Sequence, residues 1–313
     1  MKICLSIAKR DKEFEGMIKT LSQFAEVEVV GLSDYSLVDV DIFIGKRMSK
    51  TALKTANKLK VVFAYKTGVD DFPLAEMEKR GIILVNSHVD AGIIAEYAFG
   101  LSISLVNRIT ECDKKLRRGI WYDHTNPFWE SFFNMRVGLL GFGHIGKNIN
   151  AILKRNGIKT YTLNRGKAVE DIEVVDSLEE LFKNSDLVIL SLPKTANTDN
   201  VINEDTIKLL KGKYIVNVGR SNSIDQKALY EALKNKDVAG AAIDTWDKKP
   251  SGKQILPPSD QPFTELENIV LSPHQAIKTR EGHQRYVKDI TQKVIDYINT
   301  GEVTDKIDYK KGY

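Results

Sequence analysis

The chain has 313 residues, 42% of them hydrophobic and 28% charged, with a formal net charge of +4 at pH 7. That length and balance place it in the soluble globular class, with room for two domains and a sizeable core. The positive charge is diffuse and forms no long basic run, which argues against nucleic-acid binding, and no apolar stretch approaches the length of a membrane span.

Residues 3–7 form an apolar run that reads as a first β-strand. A secretory leader is the poorer reading, because Lys9, Arg10 and Asp11 interrupt the run at once. Two cysteines, Cys4 and Cys112, make no disulfide framework and are expected to be small buried or semi-buried residues; a reducing cytoplasm fits them. Further strand candidates are residues 27–30, 41–44, 61–64 and 82–85, with helical stretches at 50–60 and 74–79. This alternation predicts a parallel α/β sheet.

A helical pattern then runs from residue 94 to 117, with Ala95, Ala98, Leu101, Leu105 and Ile109 at helical spacing. Its length suits a helix crossing between two domains. Residues 121–133 are aromatic-rich and irregular, and read either as an exposed arm or dimer contact or as core packing. A second sheet begins at Val137, with later strands at 159–163, 187–192, 214–218, 239–243 and 269–271. Helices at 178–182, 206–210 and 226–233 lie between them. From Thr279 a helix with Tyr286, Val287, Ile290, Val294 and Ile298 on one face runs to Gly301, a natural C-terminal stop. It comes too late for the second sheet and is expected to return to the first domain, which would then be discontinuous.

The strongest motif is the run from Val137 to Gly146, which places Gly141, Gly143 and Gly146 in the G-x-G-x-x-G arrangement between an apolar strand and a helix. Gly141 permits the tight turn, Gly143 lets the backbone approach phosphates, and Gly146 lets the helix pack on the strand. His144 and Ile145 lie at the start of that helix, whose N–H groups and positive end suit a pyrophosphate. Glycines at this spacing are common in turns; the flanking strand and helix favour a bound dinucleotide.

Further segments follow in order. They are Ser191-Leu192-Pro193-Lys194-Thr195, Asn217-Val218-Gly219-Arg220-Ser221, Gly240 to Trp246, and Leu271-Ser272-Pro273-His274-Gln275-Ala276. With residues 60–71 and Ala95-Glu96-Tyr97, they resemble the D-isomer-specific 2-hydroxyacid dehydrogenases, which use NAD(P). The likeness runs over nearly the whole chain. It implies a Rossmann-type doubly wound parallel sheet inserted in a second, flavodoxin-like α/β domain. The substrate domain would comprise residues 1–97 and 276–313, the dinucleotide domain residues 98–275, and the active site would fall in the cleft between them. A homodimer is implied by the same resemblance.

The resemblance also assigns roles. Arg220 would hold the carboxylate of a 2-keto acid by paired hydrogen bonds; taken alone it reads as a surface arginine. His274 would deliver the proton as hydride arrives, since imidazole titrates near neutrality; a lone histidine is otherwise structural. Asp244 matches the residue that holds the nicotinamide carboxamide, with a turn or cap aspartate as the alternative. Leu192, Pro193, Thr198, Val218 and Gly219 complete the cofactor set. Thr67 and Gly68 match the loop whose N–H groups bind the substrate carboxylate. Tyr65 and Lys66 replace the small residues usual there and predict an altered pocket, although Lys66 also reads as an ordinary solvated lysine.

Two departures carry weight. Asn164 and Arg165 stand where an NAD enzyme has a carboxylate for the ribose hydroxyls. Arg165, aided by Lys167, would welcome a 2′-phosphate, so NADP is the expected cofactor, with NAD as the alternative. Lys249 replaces the family's glutamate, which pairs with the histidine. Like charges about 4 Å apart repel by roughly 4 kcal/mol at an effective dielectric near 20, so Lys249 should not face His274 as a cation. Three readings follow: Asp247 supplies the carboxylate, His274 works without a partner, or no proton relay is needed, as in formate dehydrogenases. A nucleotide-sensing protein without turnover is the reading from a different class. No metal site is expected, because no His, Cys or carboxylate spacing matches one.

Overall fold

The computed structural model describes residues 1–33, 35–121, 128–163, 170–248 and 255–313. The chain forms two compact units, Met1–Asp90 with Lys278–Tyr313, and Ala91–Ile277.

In the first unit β1 (Lys2–Ser6), α1 (Lys12–Leu21), β2 (Glu26–Val30), β3 (Ile42–Gly45), α2 (Lys50–Thr55), β4 (Val61–Ala64), α3 (Leu74–Lys79) and β5 (Ile83–Val85) alternate. The five strands are parallel in the order β2-β1-β3-β4-β5, the flavodoxin-like order. The strand period of two sorts their side chains into two cores. Ile3, Leu5, Ile42, Ile44, Val61 and Phe63 face one way, towards Phe14 and Met17 of α1 and Tyr286, Ile290 and Val294 of the C-terminal helix Arg280–Thr300. Cys4, Phe43, Val62 and Ala64 face the other, towards Leu53 and Met77. Both faces are covered, so the central strands read as continuous apolar runs. Asp11 caps α1 through Phe14 N, and the C-terminal helix starts on a Thr279 cap and stops at Gly301 in the left-handed conformation (φ 75°). The sequence reading had missed α1.

The second unit opens with α4 (Ala91–Val106) and α5 (Ile109–Arg117), then β6 (Val137–Leu140), α6 (His144–Arg155), β7 (Thr160–Leu163), β8 (Glu173–Val175), α7 (Leu178–Lys183), β9 (Leu187–Leu190), β10 (Tyr214–Asn217), α8 (Gln226–Lys234), β11 (Gly240–Ile243) and β12 (Ile269–Leu271). Its seven strands are parallel in the order β12-β11-β10-β9-β6-β7-β8. That is the Rossmann order, reversing between β6 and β9.

Two expectations are corrected, the single helix over 94–117 and the burial of Cys112. The helix expected over 94–117 is two helices, broken where Arg108 takes a left-handed conformation (φ 56°) and its guanidinium pairs with Glu111. The second compact unit begins at Ala91 with α4, which packs on α6, β10, β11 and β12, and it ends at Ile277. The helix expected over residues 206–210 is present as the 3-10 helix Thr206–Leu210, with Thr206 N donating to the Asn203 side chain. Cys112 is exposed, while Cys4 is buried and its thiol is pushed up to about 12 by that burial. In the aromatic segment Phe132 is buried, but Trp121, Phe128, Trp129 and Phe133 are exposed. No helix among the described residues is long and apolar enough to cross a membrane.

Candidate active site

The glycine motif sits at the switch point of the second sheet. Gly141 follows β6 at φ 110°, and its carbonyl accepts a hydrogen bond from Ser191 Oγ, just past β9, at 3.0 Å. A Cβ on Gly146 would stand 2.2 Å from the Gly141 carbonyl oxygen, so only glycine fits. A Cβ on Gly143 would meet no protein atom within 4 Å. Gly143 therefore faces open space in front of α6, whose first turn has no side-chain cap and no acidic residue. His144 is exposed and Ile145 half-buried at that helix start. The cradle fits a dinucleotide phosphate by shape, by dipole and by its backbone donors.

The neighbouring loop is built as tightly. A Cβ on Gly219 would meet the backbone N and O of Leu192, each at 2.7 Å. Thr198 Oγ1 donates to the Pro193 carbonyl at 2.6 Å and fixes the turn after β9. Asn217 holds the β10 exit from both sides: its Oδ1 accepts from Gly219 N at 3.0 Å, and its Nδ2 donates to the Arg220 carbonyl at 3.1 Å. Ser223 Oγ donates to the same carbonyl at 2.7 Å. Val218 is buried and Arg220 half-buried in extended backbone.

Asp244, next door at the end of β11, is buried. One carboxylate oxygen accepts from Ser272 Oγ and from Gln275 N at 2.7 Å; the other accepts from Ala276 N at 3.2 Å. Trp246 Nε1 donates to the Ser272 carbonyl at 2.8 Å, and the Tyr97 and Ser272 hydroxyls lie 2.9 Å apart. These groups clamp the turn after β12, where His274 is exposed and takes a left-handed conformation (φ 54°). Arg220, Asp244 and His274 thus follow three adjacent strands at their carboxyl ends. Ser191, Tyr97, Trp246 and Ser272 all stand in the motif segments of the sequence, but their hydrogen bonds to one another and to the glycine turn are visible only in the fold.

Asp247 is exposed and borders a polar cavity of about 430 Å³ with Asp199, Asn222, Asp225 and Asp260; its described lining includes neither Arg220 nor His274. Asn164, Arg165, Lys167 and Lys249 lie outside the described residues.

On the first unit, Thr67 Oγ1 donates to the Ser87 carbonyl at 2.9 Å and lies 2.9 Å from the Tyr286 hydroxyl, while Asn86 Nδ2 donates to the Thr67 carbonyl at 2.7 Å. The Thr67–Gly68 loop is therefore anchored on the turn after β5 and on the C-terminal helix. Tyr65 is buried, its hydroxyl donating to the Ser6 carbonyl at 3.0 Å, and burial pushes its phenol upward. Lys66 is paired with Asp71 at 2.5 Å. Asp11, Glu13 and His283 also meet on this unit, with His283 Nε2 2.9 Å from Asp11 Oδ2. No sequence spacing announced that cluster, and its Asp11 serves as the α1 cap.

Residues 99–276, more than half of the chain, match the family model described as D-isomer specific 2-hydroxyacid dehydrogenase, NAD binding domain. The chain belongs to that family, whose members are NAD(P)-dependent oxidoreductases. It is 31% identical to the D-3-phosphoglycerate dehydrogenase of Methanocaldococcus jannaschii over 97% of this chain, and spans 59% of that protein's length. It is 30% identical to the glyoxylate reductase of Thermococcus litoralis, over 92% of each chain. A crystal structure of a protein from Pyrococcus horikoshii superposes with a TM-score of 0.82 at 31% identity, covering 98% of this chain and 95% of that one.

Proposed function

We propose that the chain interconverts a small 2-keto acid and the D-2-hydroxy acid, with NADP(H) preferred over NAD(H). The observation that carries this reading is the row of Arg220, Asp244 and His274 on consecutive strand ends, with the His274 turn locked by Asp244. The nicotinamide, when bound, supplies or accepts the hydride. Gly141, Gly143, His144, Ile145 and Gly146 would hold the pyrophosphate, and Leu192, Pro193, Thr198, Val218 and Gly219 the nicotinamide side. Asp244 already has three donors, so any carboxamide contact would share an occupied carboxylate.

Arg220 presents a planar fork that matches a carboxylate, and the Thr67–Gly68 backbone is the second anchor. His274 protonates the substrate oxygen in reduction and takes the proton back in oxidation. Asp247 is the candidate substitute for the carboxylate missing at Lys249; its asparagine variant would lower kcat by about tenfold if it supports His274, and an unchanged pH profile would exclude it. NADP preference rests on Asn164 and Arg165 in the sequence. A homodimer is proposed as well, the exposed Trp121, Phe128 and Trp129 supplying apolar surface for a second copy. A cytoplasmic location is the matching expectation.

The test is NADPH oxidation against glyoxylate, hydroxypyruvate, pyruvate and bulkier keto acids. Turnover that falls in Arg220→Met and His274→Asn supports the reading. Tight dinucleotide binding without turnover would favour the nucleotide-sensing alternative, which Lys249 motivates.

A further inference from the structure

The two ends of the chain meet in the first unit, where α1 and the C-terminal helix cover the same face of the sheet. The starts of these helices bring Asp11, Glu13 and His283 together, and one ligand atom of each lies within 4.8 Å of the other two. Asp11 Oδ1 accepts from Phe14 N at 3.0 Å and caps α1, which leaves Oδ2 standing 2.9 Å from His283 Nε2. The imidazole is set by the Phe14 ring, packed edge-on at 5.0 Å. All three residues are half-buried, and the positive end of α1 suits both acids.

Two observations set this cluster apart from an ordinary surface ion pair. His283 Nε2 is buried and makes no hydrogen bond among the described residues, because its 2.9 Å approach to Asp11 lacks hydrogen-bond geometry. The Glu13 carboxylate has neither a hydrogen bond nor an ion pair among the described residues. A nitrogen and an oxygen this close without a proton aligned between them, beside an uncommitted carboxylate, are arranged as ligands of one ion are arranged. Zinc bonds of about 2.0–2.2 Å put neighbouring donors of a tetrahedral shell about 3.4 Å apart. The Asp11–His283 pair is already near that spacing, and Glu13 closes the remaining gap by rotation about its own side-chain bonds. One imidazole with two carboxylates favours a transition-metal ion over calcium or magnesium, which take oxygen ligands.

We propose that Asp11 Oδ2, a Glu13 carboxylate oxygen and His283 Nε2 bind a zinc-class divalent ion, with water in the fourth position, and that the ion staples α1 to the C-terminal helix. Such a link joins the two segments of the first unit, Met1–Asp90 and Lys278–Tyr313, across a long intervening stretch of chain, where closure stabilises most. The test is calorimetric titration of the full chain, stripped of metal with a chelator, with zinc chloride alone. One ion per chain should bind with a Kd of about 10 µM or tighter, and saturation should raise the thermal midpoint by about 2 °C or more. Asp11→Asn, which keeps the helix cap, Glu13→Gln and His283→Gln should each weaken binding by about tenfold or more. Calcium and magnesium chloride should produce neither effect. No zinc binding to the parent chain at about 100 µM, or binding that all three variants retain, would overturn the proposal and leave His283 as an ion-pair partner of Asp11 only. None of these readouts needs turnover, so the outcome is independent of the function proposed above.

Discussion

Replacing Asp244 by alanine should release the turn that carries His274. The carboxylate is 1% exposed and takes donors from Ser272, Gln275 and Ala276. Hydrogen bonds to a charged group contribute about 1.5–3 kcal/mol each, and a buried donor left unmade costs about 1–3 kcal/mol. Ser272 keeps the Tyr97 hydroxyl, and Gln275 is exposed enough for water to replace its partner. Ala276 N has neither remedy, because that residue is buried. The net loss comes to about 3 kcal/mol. The left-handed His274 backbone, costing about 1 kcal/mol by itself, would then relax. Urea unfolding followed by tryptophan emission reads this directly, since Trp246 donates to Ser272 while Trp121 and Trp129 are 83% and 59% exposed. A red shift, the lower stability and a fall in kcat of about 100-fold are expected, as displacing a catalytic group by about 1 Å has that effect. Stability within about 1 kcal/mol of the parent chain and an unchanged pH profile would refute the clamp, since even one lost buried hydrogen bond exceeds that.

Two glycine variants should separate binding from folding. Gly143→Ala, with nothing within 4 Å of its new methyl, should unfold near the parent midpoint yet weaken dinucleotide binding by about tenfold or more; Gly146→Ala, facing a carbonyl at 2.2 Å, should lose stability as well. Denaturation and cofactor titration distinguish them. Arg136 holds the Asp186 carboxyl below the usual carboxylate range through a two-pronged contact. That stabilisation is present above the unfolded carboxylate pKa of about 3.9 and is lost as pH falls through the lower folded value. Asp186→Asn should therefore flatten the acid side of the stability curve, which denaturation at stepped pH would reveal. Finally, the NADPH to NADH ratio of kcat/KM should exceed one and fall in Arg165→Ala; a parent preference for NADH would reject the proposed role of Arg165.

Much of the fold is legible because its central strands are buried on both faces. Leu187–Leu190 is apolar throughout and could be read as a strand from composition alone. β8 could not, since Glu173 and Val174 are exposed and only Val175 reaches the core. The break at Arg108 was hidden because the apolar spacing passes straight through it, and the stop is a backbone conformation fixed by the contact with Glu111. Arg220 and His274 stood out by motif. The actual partners of Asp244 lie about thirty residues along the chain and are brought near only by the pairing of β11 with β12.

The most direct measurement of the central claim is steady-state oxidation of NADPH and NADH by the keto acid panel, with product chirality determined. The account predicts turnover to the D-hydroxy acid with at least one keto acid, abolished in His274→Asn and strongly reduced in Arg220→Met. Saturable dinucleotide binding with no turnover of any of them, or an L-product, would contradict it.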